Sequence, residues 1–411
     1  MKDACASAGL MPLDDALKQL LAALTPLQAS ESVAISQADG RIVAQTITSE
    51  LNIPPADNSA MDGYALRAED GRAGNELRLV GQSFAGHPYS AVVQPGECVR
   101  IMTGGQLPAG ADCVCMQENV SVDGDLIRLT QAVKAGSNVR YAGEDISRGA
   151  LVFEAGRRLR AADIGLLSSL GIADVRVKKR IRVALISTGD ELKKPGEVLQ
   201  PGQFYESNGY TLAALLTRFG AEVLEFGIVA DDLQQLTQVF TQADQQADVV
   251  ITSGGVSVGE ADFVKTVLQS LGKIAFWKLA IKPGKPFAFG LLANSYFIGL
   301  PGNPVSALVT MHQLGLPMLS KIQGENARVP LRLSASAGCD IRKAPGRTDF
   351  QRGIYHTTDD GRLQVVTTGS QGSGVLTSMN RANCYIILEQ MRGSVAAGES
   401  VTIEPFDGYI G

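Results

Sequence analysis

Charged and small residues gather in five short segments between residues 187 and 308. "STGDEL" holds Thr188, Gly189, Asp190 and Glu191, and Asp231 and Asp232 form a pair. "SGGVSVGEADF" runs from Ser253, Gly254 and Gly255 to Glu260 and Asp262. "WKLAIKPGKP" carries Lys278, Lys282 and Lys285, and "PGNPVSAL" carries Pro301, Pro304 and Ser306. Glycines after a strand free backbone N–H groups to face an anion. Glu191, Asp231 and Asp262 oppose one, because like unit charges about 4 Å apart repel by ~4 kcal/mol at an effective dielectric of ~20. A hard divalent cation such as Mg²⁺ between carboxylates and phosphate removes the conflict, and Lys278 and Lys282 neutralise the remainder. The residues point to a phosphorylated ligand handled through a metal. Neither GxxxxGK[ST] nor GxGxxG occurs, so the loop belongs to neither common nucleotide fingerprint.

Taken singly, each segment has a plain structural account. Asp231–Asp232 and Asp262 suit helix N-caps, "KPGKP" suits a solvated turn, and "PGNP" suits a strand-to-helix turn. Their common position argues for more. "IRVALIS", "EVLEFGIV", "DVVITS", "IAFWKLA", "PFAFG" and "YFIGL" read as strands. Helices are expected over "YTLAALLTRFG", "DLQQLTQVFTQA", about 262–271 and "PVSALVTMHQLGLPML". Strands alternating with helices predict a doubly wound α/β domain with a largely parallel sheet over 181–326. In such sheets ligands bind beyond the carboxyl ends of the strands, which is where these loops fall.

The rest of the chain has another character. Leu13, Leu17, Leu20, Leu21 and Leu24 make one apolar face of a helix over 13–24, which is expected to pack on another domain. Residues 1–180 otherwise read as irregular β-rich modules, with about 46–145 a separate insertion, closed by a short helix at "AADIGLLSSLG". Short strands return after 327 and predict a small C-terminal β-barrel over 327–411.

The 411 residues suggest roughly two to four domains. A net charge of −5 and a pI near 5.4 argue against a nucleic-acid footprint, which is basic and clustered. No apolar run reaches the ~18 residues of a membrane span, and Asp14, Asp15 and Lys18 interrupt the only signal-like stretch. A cytoplasmic location is the expectation. Six cysteines without a CxxC pair read as reduced, and Cys113 and Cys115 as packing residues. Three scattered histidines make a histidine zinc site or a serine triad an unpromising basis for catalysis.

In combination, these five loops resemble the molybdenum insertase family, MoeA of bacteria and the E-domain of gephyrin. "PPADNSAMDGYAL" (54–66), "IMTGGQLPAGAD" (101–112), "GEDI" (143–146) and "PGRTDFQRG" (345–353) resemble the family's other motifs, so the similarity covers nearly the whole chain. It implies a molybdopterin molybdenumtransferase that takes adenylylated molybdopterin and molybdate, releases AMP with Mg²⁺ assistance, and forms molybdenum cofactor. It also implies a homodimer with a composite active site, bringing Asp62 and Thr103 of one copy to the α/β loops of the other, and an adenylyltransferase as the partner that makes the substrate. Carried over, Glu191, Asp231 and Asp262 are acidic site residues and metal ligands, and Lys278 and Lys282 bind phosphate. Pro301 and Pro304 shape the pocket. Lys282, Lys285, Ser306, Arg347, Arg352 and Ser373 are candidates for molybdate, with Arg347 and Arg352 as alternatives. Thr103, or Thr188 with Gly189, contacts nucleotide or pterin, as the Ser253, Gly254 and Gly255 loop does. The competing readings are an adenylyltransferase or other nucleotide-handling enzyme on the same α/β domain, and a scaffold of the gephyrin kind.

Overall fold

A computed structural model describes residues 9–255 and 263–410. Contacts divide the chain into two units. One comprises residues up to 31, 40–42 and 178 onward, and the other comprises 32–39 and 43–177.

The larger unit is built on a six-stranded sheet. Its strands are β1 (Arg182–Thr188), β2 (Glu222–Val229), β3 (Val249–Ser253), β4 (Lys273–Lys278), β5 (Pro286–Leu291) and β6 (Tyr296–Leu300). The spatial order is β2-β1-β3-β6-β5-β4. The first four are mutually parallel, and β5 and β4 alternate in direction. The parallel strands are almost wholly apolar because both faces are covered. Helix α1 (Leu13–Ala22), α2 (Asn208–Phe219), α5 (Pro304–Thr310) and α6 (Leu316–Gln323) share one core with one face. On the other face α3 (Leu233–Gln246) and α4 (Phe263–Leu271) pack over Ala184, Ile186, Val250 and Phe297. The expected doubly wound domain is present.

Local chemistry accounts for the helix ends. Gly220 stops α2 in the left-handed conformation, φ +94°. Asp232 caps α3 by accepting from the Gln235 N–H at 2.8 Å, the plain account considered for this pair. Pro304 opens α5 at a first-turn position, where its missing N–H has no helical partner to lose. The expected final helix is continuous but carries a π-helical turn over Met311–Gly315 between α5 and α6.

Strands β7 (Leu333–Ala337), β8 (Thr348–Thr357), β9 (Leu363–Thr367), β10 (Cys384–Leu388) and β11 (Ser400–Pro405) close into the C-terminal barrel. Closure comes from β8 pairing with both β9 and β10. This barrel falls in the same unit as the α/β sheet. The two-residue strand Ile281–Lys282, in the loop between β4 and β5, pairs with Thr348–Asp349 of β8.

The second unit holds a six-stranded sheet between Gly63 and Leu129, over a core of Tyr64, Leu66, Leu77, Cys98, Cys113 and Cys115. A distinct core joins Val43 and Ala38 to Phe153, Leu167 and Val177, with the helix Ala161–Ser169 beside it. Burial pushes the Cys98 and Cys113 thiols up to about 12, so both stay protonated packing groups.

Candidate active site

Strand direction decides what meets at the carboxyl edge of the sheet. Ser187, Ser253 and Leu300 are in register across β1, β3 and β6. Since β5 and β4 alternate in direction, the start of β5 and the end of β4, at Lys278, lie at that same edge. All five loops singled out in the sequence therefore share one edge. They do not share one point. Four strand spacings separate β1 from β4, about 19 Å at ~4.8 Å each. Asp190, Glu191 and Asp231 follow β1 and β2 at one end of the edge, and Lys278 ends β4 at the other.

At the acidic end, the Asp190 carboxylate accepts from the Asp231 backbone N–H at 3.0 Å and ties the two loops together. The Glu191 carboxylate folds over Gly189, where a β-carbon would lie 2.5 Å from it. The Asp231 carboxyl is held above its usual range, by partial loss of water and then by the charges of Asp190 and Glu191. Asp190 is a member of this cluster that the sequence reading passed over, although it stands in the quoted motif. Asp262 lies outside the described residues.

Between the ends is the point where the chain reverses its winding. From β1 it crosses through α2 to β2, and from β2 through α3 to β3 on the far side of β1. A crevice opens at such a point. Thr188 and Gly189 line it from β1, and Ser253, Gly254 and Gly255 from β3. Gly254 has φ +100°, and a β-carbon there would sit 2.9 Å from the Thr188 carbonyl oxygen. Thr188 Oγ1 is buried without a hydrogen-bond partner, a polar atom left for a guest. Asn208, the first residue of α2, donates from Nδ2 to Ser253 Oγ and to the Gly302 carbonyl, both at 2.7 Å. Sequence reasoning missed Asn208, because "ESNGY" reads only as a helix start.

At the basic end, Lys278 and Lys285 are exposed and Lys282 is half-buried. Lys282 Nζ lies 3.4 Å from the carboxylate of Asp349, a buried residue that also accepts from Gln351. Pro301 and Ser306 are buried, and the Val305 N–H of α5 donates to the Ser373 carbonyl at 3.1 Å. Ser373 thus stands beside the "PGNP" turn. Arg347 is half-buried in the loop before β8. Arg352 is fully buried, and its guanidinium donates to Ser378 Oγ, the Phe350 carbonyl and the Gly372 carbonyl. Its donors are engaged within the barrel.

Asp62 and Thr103 belong to the second unit. The Asp62 carboxylate accepts from the Thr103 backbone N–H and hydroxyl at 2.8 and 2.7 Å. These bonds, and the nearby Arg100 charge, hold its carboxyl below the usual range. A β-carbon on Gly63 would run into the Cys115 carbonyl, so close strand approach demands that glycine. A cavity of about 700 Å³ lies at the opposite, amino edge of the sheet, where Arg182 and Asp248 pair; it contains none of the residues above.

Three family models match in order along the chain. They are the MoeA N-terminal region (domain I and II) over 11–171, a probable molybdopterin binding domain over 184–321, and the MoeA C-terminal region (domain IV) over 334–406. A molybdopterin molybdenumtransferase of Haemophilus influenzae is 46% identical over 404 residues, covering 98% of this chain and 100% of that one. The chain belongs to the MoeA family of molybdopterin molybdenumtransferases. Another member, from Nostoc sp., is 35% identical over 93% of this chain and 90% of its own. The crystal structure of a molybdopterin biosynthesis MoeA protein from Pyrococcus horikoshii matches with a TM-score of 0.83 at 30% identity, covering 97% of this chain and all of that one. Like its relatives, this MoeA-family chain is an enzyme of molybdenum cofactor biosynthesis.

The residues present fit a divalent cation. Asp190, Glu191 and Asp231 offer hard oxygen donors whose mutual repulsion a cation relieves. Among the described residues no group of three such donors is preassembled.

Proposed function

We propose that the enzyme takes adenylylated molybdopterin and molybdate, releases AMP, and leaves molybdenum on the dithiolene as molybdenum cofactor. The observation that carries this reading is the polarised edge of the sheet: the strand leading to Glu191 and the strand ending at Lys278 are four strand spacings apart, ~19 Å, with the glycines after β3 between them. A long ligand with a phosphoanhydride and a second, oxyanionic partner suits that arrangement better than a single phosphate does.

Asp190, Glu191 and Asp231, with Asp262, would hold Mg²⁺, which supplies charge neutralisation on the anhydride oxygens when bound. One carboxylate orients the attacking water or oxyanion. The amides of Gly254 and Gly255, the Ser253 hydroxyl and the unpartnered Thr188 Oγ1 bind the ligand along the crevice. Lys278 offsets negative charge on the ligand from the β4 end of the edge. Molybdate, a tetrahedral dianion, is taken up among Lys282, Lys285, Arg347 and Ser373, with Asp349 orienting Lys282. Arg352 supports this site from within the barrel. Pro301 and Pro304 restrict the backbone between crevice and molybdate.

Two copies form the working enzyme, with Asp62 and Thr103 of one copy completing the crevice of the other. An adenylyltransferase supplies the substrate, and the setting is the cytoplasm. No helix among the described residues is long and apolar enough to cross a membrane.

The test is direct. Full-length protein given adenylylated molybdopterin, molybdate and Mg²⁺ releases AMP, and omission of Mg²⁺ stops it. Release from ATP instead, or none above background, removes the reading.

A further inference from the structure

We infer that Asn208 is a positioning residue: it turns the Ser253 hydroxyl into a donor toward an anionic ligand in the crevice between β1 and β3. The inference rests on the reading above only in taking that ligand to carry phosphate.

The Gly302 carbonyl can only accept a hydrogen bond, so the Asn208 atom 2.7 Å from it must be the amide nitrogen. That contact fixes which way the amide faces. The same nitrogen lies 2.7 Å from Ser253 Oγ, so Ser253 receives a hydrogen bond from Asn208. Among the described residues no acceptor takes the hydroxyl's own proton. Ser253 ends β3, is 3% exposed, and is followed by Gly254 with its positive φ. A buried hydroxyl with its acceptor side occupied and its donor side open is matched to an anion, and poor access to water strengthens that bond.

Asn208 is itself held. The buried Glu206 carboxylate accepts from the Gly209 N–H at 2.6 Å and fixes the first turn of α2. The one amide also spans two ligand-facing loops, those after β3 and β6, on neighbouring strands. Loss of Asn208 vacates the acceptor side of the Ser253 hydroxyl and frees it to rotate away from the crevice. The ligand then loses a donor through a residue that does not touch it.

A double-mutant cycle tests this on the full chain, with AMP and inorganic phosphate as calorimetric probes. Ser253→Ala is expected to weaken binding of the better probe roughly 10- to 100-fold, as for a hydrogen bond to a charged group. Asn208→Ala is expected to weaken binding measurably but by no more than Ser253→Ala, and to change affinity less than about threefold once Ser253 is alanine. Equal effects of Asn208→Ala in both backgrounds mean that it acts on the loops generally, which overturns the inference. So does failure of both probes to bind the wild type. Asn208→Asp keeps the shape but cannot donate; it is expected to lose at least as much affinity as Ser253→Ala, and wild-type binding by this variant is a second refutation. AMP release by the wild type is measured alongside. Release without coupling removes the role of Asn208 alone, and coupling without release removes the proposed reaction alone.

Discussion

Arg347 and Arg352 are five residues apart, and their surroundings differ: Arg347 is half-buried and Arg352 fully buried. Arg352 is fully buried in β8, with bonds of 3.0 Å to Ser378 Oγ, 3.1 Å to the Phe350 carbonyl and 3.3 Å to the Gly372 carbonyl. Replacing it by methionine keeps most of the volume and strands these three acceptors. At about 1 kcal/mol or somewhat more for each, the loss is ~3–5 kcal/mol. Removing a desolvated charge returns part of that, leaving a net destabilisation of about 2–4 kcal/mol. The guanidinium is fully buried, so its charge is desolvated, and burial lowers its pKa. Arg347→Ala, at a half-buried loop position, should change stability by no more than about 0.5 kcal/mol while raising the molybdate concentration needed for half-maximal turnover. Urea denaturation gives the first quantity, and AMP release against molybdate concentration, measured at low temperature on folded protein, gives the second. Unchanged urea stability in Arg352→Met with a selective loss of molybdate response would refute the assignment, because it would mean the guanidinium faces the ligand.

Further outcomes are expected elsewhere in the site. Gly254→Ala combines φ +100° with a β-carbon 2.9 Å from the Thr188 carbonyl; it should lose ~1–3 kcal/mol in thermal unfolding and at least about tenfold in AMP release. An unchanged melting temperature argues against the loop geometry. Asp231 has a raised folded pKa, so it favours folding below its unfolded value of about 3.9 and loses that contribution as pH rises through the folded value. Asp231→Asn should therefore be slightly more stable than wild type at pH 7, by less than about 1 kcal/mol for an exposed group, with the gap closing toward pH 4. Melting temperatures across pH decide this, and a less stable variant at pH 7 contradicts the repulsion. Mg²⁺ should raise the melting temperature of the wild type more than that of Asp231→Asn. Asp62→Ala and Asp231→Ala, inactive apart, should regain part of their activity when mixed as exchanged dimers; verified exchange without recovery counts against the shared site.

The sequence alone settled the local elements, the class of the fold and the inventory of chemical groups. Apolar runs of strand length, the leucine face of α1, Gly220 as a helix stop and Pro304 as a helix start are written in short-range patterns. Such patterns act through backbone sterics and hydrogen bonds within a few residues. The motif loops were legible for the same reason, since each follows its own strand directly. Strand order was not legible, because it depends on pairing between segments far apart in the chain. That order puts Glu191 and Asp231 at one end of the edge and Lys278 at the other, where a list of loops placed them together. Burial was equally hidden. Arg347 and Arg352 are the same side chain in one short motif, and only the closed barrel engages the donors of one. Asn208 and Asp349 act by bridging or orienting groups from distant segments, so their roles exist only once the tertiary structure brings those partners within hydrogen-bonding distance.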